Sequence, residues 1–496
     1  MGLIGKLFGG KQPAPASAWD EQTKLIHWKG ERGSADWTIG DSFEGVQVFG
    51  DTGSGKSSAS AKLLATALLR AGYGGLVLTV KKEDSSEWLD LVFKNNRTND
   101  TIFFAPGGEH CFNFLEYELK HGVKNGLGSL GAAQILSEMV SLAQRGAGRA
   151  DDFWTQSANE LISHTLQVIH ASGETPSLKL AKALIESAPR SLPEANDPQW
   201  RDEDRTLLWK LLQRGQAAGG DDFKLAEDYW LVQFPQMAEK TRSSVVATFT
   251  ASVAQYFCPE IIHRLFGGTT TVTPDDIAAG KIVVVNLPVK QFGAAGRFAG
   301  IIWKYCAQLA IERREDKDRP IFIFVDEAHH FLADYDQLFQ TTARSSRCAV
   351  VYLTQSLSNY FALSPGSTGK HRVDSLCNCL KTKILHQCSH PETRQTFADA
   401  IGKRRDEKVS ETVSHGNGSP KVSETTSRGY EFLIHPDRAT RLKTGGKVND
   451  CRVEGIVYKA GKQIGDQPYL LVAHFDQRNL EPASGQSAVS LPLPPI

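Results

Sequence analysis

No apolar run in this 496-residue chain is long enough to cross a bilayer, and no stretch carries the cleavage pattern of a signal peptide. The expectation is a cytoplasmic protein, at most peripheral at an inner membrane. An excess of charge of either sign is also missing, since 56 Lys and Arg balance 56 Asp and Glu. That excludes a uniformly basic coat that would hold nucleic acid anywhere on its surface. Any DNA contact is confined to a local patch, or to a channel shared by several subunits. Cysteine is sparse, with eight residues in no paired spacing, which argues against a disulfide scaffold and for a reducing compartment. The small apolar patch Gly2-Leu3-Ile4-Gly5-Lys6-Leu7-Phe8 lacks the Ser or Thr of a myristoylation signal at position 6. It is read as the tip of a mobile tail, 1–18, with contact to a membrane surface as the alternative.

What the chain does have is a phosphate loop. Val46-Gln47-Val48-Phe49 is a short apolar run that breaks into Gly50-Asp51-Thr52-Gly53-Ser54-Gly55-Lys56-Ser57-Ser58, and it predicts a strand, a glycine-rich turn and a helix over 58–70. Glycines at 50, 53 and 55 let successive N–H groups turn inward around an anion. Lys56 adds a point charge, Ser57 a hydroxyl for Mg2+, and the helix N-terminus a dipole of the right sign. Gly50, Asp51, Thr52, Gly53, Ser54, Gly55, Lys56, Ser57 and Ser58 are therefore the candidate ATP-binding residues.

Buried-type strands recur along the chain, at 76–80, 101–105, 282–287, 320–327 and 348–355, alternating with helical stretches such as 296–313. Short joins between them predict an α/β, doubly wound, mostly parallel sheet. Between about 122 and 256 the periodicity is helical only, so this block reads as an all-α domain inserted into the core. The nucleotide-binding domain is then built from two halves, 19–121 and 257–405. Lys408-Val409-Ser410-Glu411-Thr412 recurs as Lys421-Val422-Ser423-Glu424-Thr425 around a turn-forming loop, which predicts a protruding polar hairpin. A small β-rich segment completes 406–480, and 481–496 is Pro/Ser-rich and expected to be disordered.

The partners of a phosphate loop stand at strand ends. Asp326 closes an apolar strand and suits a contact to the Mg2+ held by Ser57; Glu327 suits the base that orients the attacking water. Gln355 ends a neighbouring strand, where its amide can sense a γ-phosphate. For the arginine that neutralises developing charge from a neighbouring subunit, Arg344 is the first choice, with Arg347 and Arg242 as alternatives. Lys82 follows a strand and is a further candidate for DNA or a neighbouring subunit, beside the reading of a solvated charge run. His329 and His330 read as helix-start residues. Cys377, Cys379, His386, Cys388 and His390 crowd together, but the stretch 381–388 alternates like a strand and would point them to different sides, which disfavours zinc.

The phosphate loop, then Phe112-Asn113-Phe114-Leu115, Phe153-Trp154 with Ala158, the helix at Arg242, Val325-Asp326-Glu327 and Gln355 occur in an order that resembles the coupling ATPases of type IV secretion, the TraG/TraD-like proteins of the FtsK/HerA superfamily. The likeness covers roughly 45–440. It implies a RecA-like motor with an all-α domain that receives substrate, assembled as a homo-oligomeric ring, usually a hexamer. It also implies ATP and Mg2+ as cofactors, DNA in the ring channel, and a relaxase or other secretion substrate, with secretion-channel ATPase or membrane components as partners. Coupling ATPases commonly begin with membrane-spanning helices, and this chain shows none, which leaves its docking open. The alternatives are a soluble DNA-pumping or defence ATPase of the HerA type, or an ATP-gated assembly scaffold that binds a protein partner without moving DNA.

Overall fold

The computed structural model describes residues 19–31, 33–125, 129–146, 152–364, 366–414, 421–464 and 467–478. The expected tails, 1–18 and 481–496, and the loop of the polar hairpin lie outside them. A hairpin of β1 (Lys24–Gly30) and β2 (Gly33–Thr38) opens the fold. The sheet core is made by β3 (Val46–Phe49), β4 (Gly74–Leu78), β5 (Thr101–Phe104), β6 (Ile282–Val285), β7 (Ile321–Val325), β8 (Cys348–Thr354) and β9 (Thr382–Leu385). These seven run parallel in the order β9-β3-β8-β7-β4-β6-β5. A two-stranded antiparallel sheet follows, β10 (Lys403–Ser414) with β11 (Lys421–Phe432), and then β12 (Arg452–Ile464) and β13 (Gln467–Asp476).

The central strands β6 and β7 are apolar and buried at every position because both faces are covered. Ile321, Ile323 and Val325 enter one hydrophobic cluster, while Phe322 and Phe324 enter the other. The helix Lys62–Arg70 packs Leu64 and Leu68 on the second face, and the helix Val289–Arg313 packs Phe298 and Ile302 on the first. This is the doubly wound arrangement that the alternation implies.

Among the described residues only helices lie between β5 and β6. They share the first cluster with the sheet, through side chains such as Leu136, Leu161 and Trp230 beside Phe104 and Trp303. Asn113 explains one of the motifs. Its side chain accepts from Glu116 N at 3.2 Å to cap the helix Phe114–Lys124, and its amide donates to Pro176 O at 2.8 Å, pinning a distant loop. Ala158, Leu161 and Ile162 are buried; Trp154 is half-buried against Phe153.

The C-terminal β-rich segment is built into the sheet itself. β12 pairs antiparallel with β9, from Ile456↔Leu385 to Lys459↔Thr382, and β13 and the β1–β2 hairpin extend that edge. Residues 19–43, whose role the sequence did not reveal, therefore close the sheet. Trp37 is fully buried, its Nε1 donating to Thr382 Oγ1 at 3.2 Å. Lys459, also buried, is bonded to Glu44 and lies 3.9 Å from Asp41.

Candidate nucleotide site

Parallel register brings the ends of β3, β8 and β9 level, with Phe49 between Thr354 of β8 and Leu385 of β9, and β7 ends close by, Val325 beside Tyr352. The next residues in each chain segment, Gly50, Gln355 and Asp326, consequently surround one point at the carboxyl end of the sheet, where open α/β sheets bind ligands.

The loop is held from below. Gly50 N donates to Gln355 O at 3.2 Å and Asp51 N to Gln387 O at 2.9 Å, while Asp51 Oδ2 accepts from Ser389 N at 2.7 Å. Gly53 and Gly55 have φ of 79° and 89°, the left-handed region that glycine enters freely. At Gly55 a Cβ would also lie 2.6 Å from Val453 of β12, so glycine is required twice over. Ser57–Ala61 forms a wide π turn before the regular helix begins at Lys62, so the helix expected over 58–70 is split.

The side chains of the loop and of the neighbouring strand ends converge. Ser57 Oγ donates to Asp326 Oδ2 at 2.9 Å. Lys56 Nζ lies 3.4 Å from Glu327 Oε1, and Gln355 Nε2 donates to the same oxygen at 3.3 Å. Glu327 holds a left-handed backbone, φ 51° and ψ 49°, unusual for a side-chain-bearing residue. This turns its carboxylate back over the loop. Burial alone would raise its pKa; Lys56 first, then the Gln355 bond and His329, outweigh burial and hold it below the usual range. His329 is pushed down to about 4 by burial and by His330, and its Nδ1 lies 3.0 Å from Thr354 Oγ1. Glu327 Oε2 and Ser54 Oγ are buried without a hydrogen-bond partner. A cleft of about 350 Å³ opens above these groups.

Lys56, Ser57, Asp326, Glu327 and Gln355 are thus brought together at one end of the sheet. The arginines lie elsewhere. Arg344 sits just before β8 begins, 3.1 Å from Glu44 before β3, at the opposite end of the sheet from Gly50. Arg347 lies over the Phe43 ring and donates to Trp19 O, and Arg242 Nη1 donates to Met237 O at 3.3 Å. Within one subunit none of them faces the cleft. The cleft also takes in Lys81, Glu87 and Lys290, which the sequence did not single out, and His329 and His330, which it read as helix-start residues. For Lys81 the signal was there: it precedes Lys82 at the carboxyl end of β4, and the turn into the helix Lys82–Lys94 faces the earlier lysine to the cleft. His329 and His330 line the cleft from the turn Ala328–Phe331. His386 does not gather ligands with the nearby cysteines; its Nδ1 and Nε2 meet Glu454 O at 2.8 Å and Ser60 Oγ at 2.7 Å.

A family model, type IV secretory system conjugative DNA transfer, matches residues 4–463. The chain belongs to this family. Its fold is that of the bacterial conjugative coupling protein TrwB. The match to TrwB in complex with GDPNP has a TM-score of 0.58 at 14% identity, over 92% of this chain and 89% of that one. TrwB with ADPNP matches with a TM-score of 0.57 at 15% identity, over 91% and 88%. TrwB with ADP and Mg2+ matches with a TM-score of 0.55 at 15% identity, over 85% and 84%. At such identities the likeness speaks for the fold. No curated protein matches the chain in sequence. The RecA-like α/β class and the resemblance to coupling ATPases hold for this member of the conjugative transfer family.

Proposed function

We propose that the chain is a Mg2+-dependent ATP hydrolase, the ring motor that recruits and moves DNA, or DNA bound to protein, in conjugative transfer. The observation that carries the reading is the meeting of Lys56, Glu327 and Gln355 at one carboxylate oxygen, beside the Ser57–Asp326 pair. A γ-phosphate in the loop competes with Glu327 for Lys56. The carboxylate, ionised at neutral pH, is then free to accept a proton from the attacking water. Gln355, already bonded to Glu327 and attached to the loop through its own carbonyl, links the occupancy of the loop to the position of the base. Ser57 and Asp326 are the residues to hold Mg2+, which supplies charge neutralisation at the phosphates. The orphaned Ser54 Oγ and Glu327 Oε2 fit a site built for groups beyond the chain's own.

Arg344 completes the site from a neighbouring subunit in this reading, which its exposed place at the far end of the sheet permits. DNA in the ring channel, a relaxase, channel components and peripheral docking at the inner membrane belong to the same proposal. Among the described residues no single helix is long and apolar enough to cross a membrane.

The purified chain is expected to hydrolyse ATP, faster with DNA. Glu327→Gln should keep nucleotide affinity and lose about 10²- to 10⁴-fold in turnover, while Lys56→Ala should lose binding. Absence of turnover at every protein concentration, with single- or double-stranded DNA, would sink the motor reading.

A further inference from the structure

The antiparallel sheet of β10 and β11 stands apart from the main sheet, and its first and third rungs are unlike the rest. Register sets Lys403 opposite Phe432 and Arg405 opposite Tyr430. Directly opposite residues, and residues two apart, share a face of a strand pair, so these four side chains lie on one face. Lys403 Nζ is 4.4 Å from the Phe432 ring centroid. Lys403 and Arg405 are exposed, and Tyr430 is 76% exposed.

The second and fourth rungs, on the reverse face, are different. There Arg404 stands opposite Glu431 and Asp406 opposite Gly429, without an aromatic ring and without surplus positive charge. Among Lys403–Asp406 and their partners, both aromatic rings and the unpaired positive charge therefore lie on one face. In a chain of zero net charge such a concentration is a local feature. Cross-strand cation–aromatic pairs also stabilise hairpins, but a ring left three-quarters in water gains little from burial. Flat rings interleaved with cations are the surface on which unpaired bases stack while the phosphates are neutralised.

We propose that Tyr430 and Phe432, with Lys403 and Arg405, form a stacking platform for single-stranded nucleic acid at the base of this hairpin. The proposal deepens the motor reading, on which it rests, by assigning a residue-level contact and a strand preference. A double helix presents its bases edge-on and stacked, so the rings would have no free face to take; an unpaired strand offers one. The platform is also joined to the nucleotide site. Ser389 N is bonded to Asp51 of the phosphate loop, and the helix Pro391–Ile401 runs from there to Gly402, φ 101°, where β10 begins. Leu433 N closes the base of the hairpin on Gly402 O at 3.1 Å. An 11-residue helix is a strut of about 16 Å, with the loop at one end and the platform at the other.

The test is fluorescence anisotropy of the full chain with a labelled oligo(dT) strand and with a mixed-sequence duplex, across a salt series. Tyr430→Ala should weaken single-strand binding by about 5- to 100-fold and leave duplex binding unchanged, while Tyr430→Phe, which keeps the ring, should bind as the parent does. Arg405→Ala should lower the salt slope on the single strand by about 0.7. Equal single-strand affinity in Tyr430→Ala and parent would overturn the proposal, and so would an equal loss on strand and duplex. Tyr430→Ala should hydrolyse ATP without DNA at the parental rate. A parent chain that binds strands through Tyr430 yet hydrolyses no ATP would sink the motor and leave the platform standing.

Discussion

Glu327 illustrates what one residue owes to its surroundings. Its place at the end of an apolar strand was legible in the sequence; its left-handed backbone and its shared oxygen between Lys56 and Gln355 were not, because they depend on strands far apart in the chain. His386 is the opposite case. In sequence it sat among cysteines as a candidate ligand, whereas packing placed it beneath the phosphate loop, its Cβ 2.9 Å from where a Cβ on Gly50 would lie. Burial holds its pKa down to about 4, from 6.5. Folding thus favours the neutral ring, and the unfolded chain takes up the proton first. The stability this residue contributes is full above about pH 6.5 and is lost as pH falls toward 4, about 2 kcal/mol of it by pH 5. Urea midpoints measured from pH 7 to pH 5 should therefore fall, and should fall less in His386→Asn. His329, also held near 4, adds to the same slope.

Among the elements, the helix Val289–Arg313, the helix Tyr335–Thr342 and β8 are joined by one buried charge pair. Lys304 is bonded to Asp336 and donates to Phe331 O at 2.6 Å. Asp336 also accepts from Gln308 at 2.8 Å, Tyr352 at 3.1 Å and Ala333 N at 2.9 Å. Burial lowers the Lys304 pKa, and the partners explain how the charge is kept. Lys304→Met should strand the carboxylate and cost about 3–5 kcal/mol by urea unfolding, with part of the loss regained in Lys304→Met/Asp336→Asn. Nothing in the local sequence marks this pair, since the two residues lie on different helices and either would pass for a surface charge. The strands were readable for the converse reason. A run such as Ile321-Phe322-Ile323-Phe324-Val325 feeds both hydrophobic faces and has no exposed reading.

For the whole molecule, the distance between Arg344 and its own cleft is informative. Among the described residues lining the cleft of a single subunit there is Lys56 but no arginine; in the proposed ring, a neighbour's Arg344 supplies that charge. Specific ATPase activity should then rise steeply with protein concentration. Arg344→Ala and Glu327→Gln chains, each slow alone, should regain activity when mixed, because the second lends its arginine to the intact carboxylate of the first. Mixtures no faster than the separate chains would move the role to another residue, with Arg347 and Arg242 the next to test.

The sequence by itself determined the phosphate loop, the strand-end carboxylates, the parallel core and the helical stretch between its halves, because each is written in contiguous residues by glycine spacing or by hydrophobic period. Only the tertiary structure decided that β12, β13 and the first hairpin complete the main sheet, that Val453 and His386 support the phosphate loop, that Lys81, Lys290 and His329 line the cleft, and that Arg405 and Tyr430 share a face. The physical reason is register. Hydrogen-bonded pairing between distant strands sets which side chains meet, and no local window of the chain contains both partners.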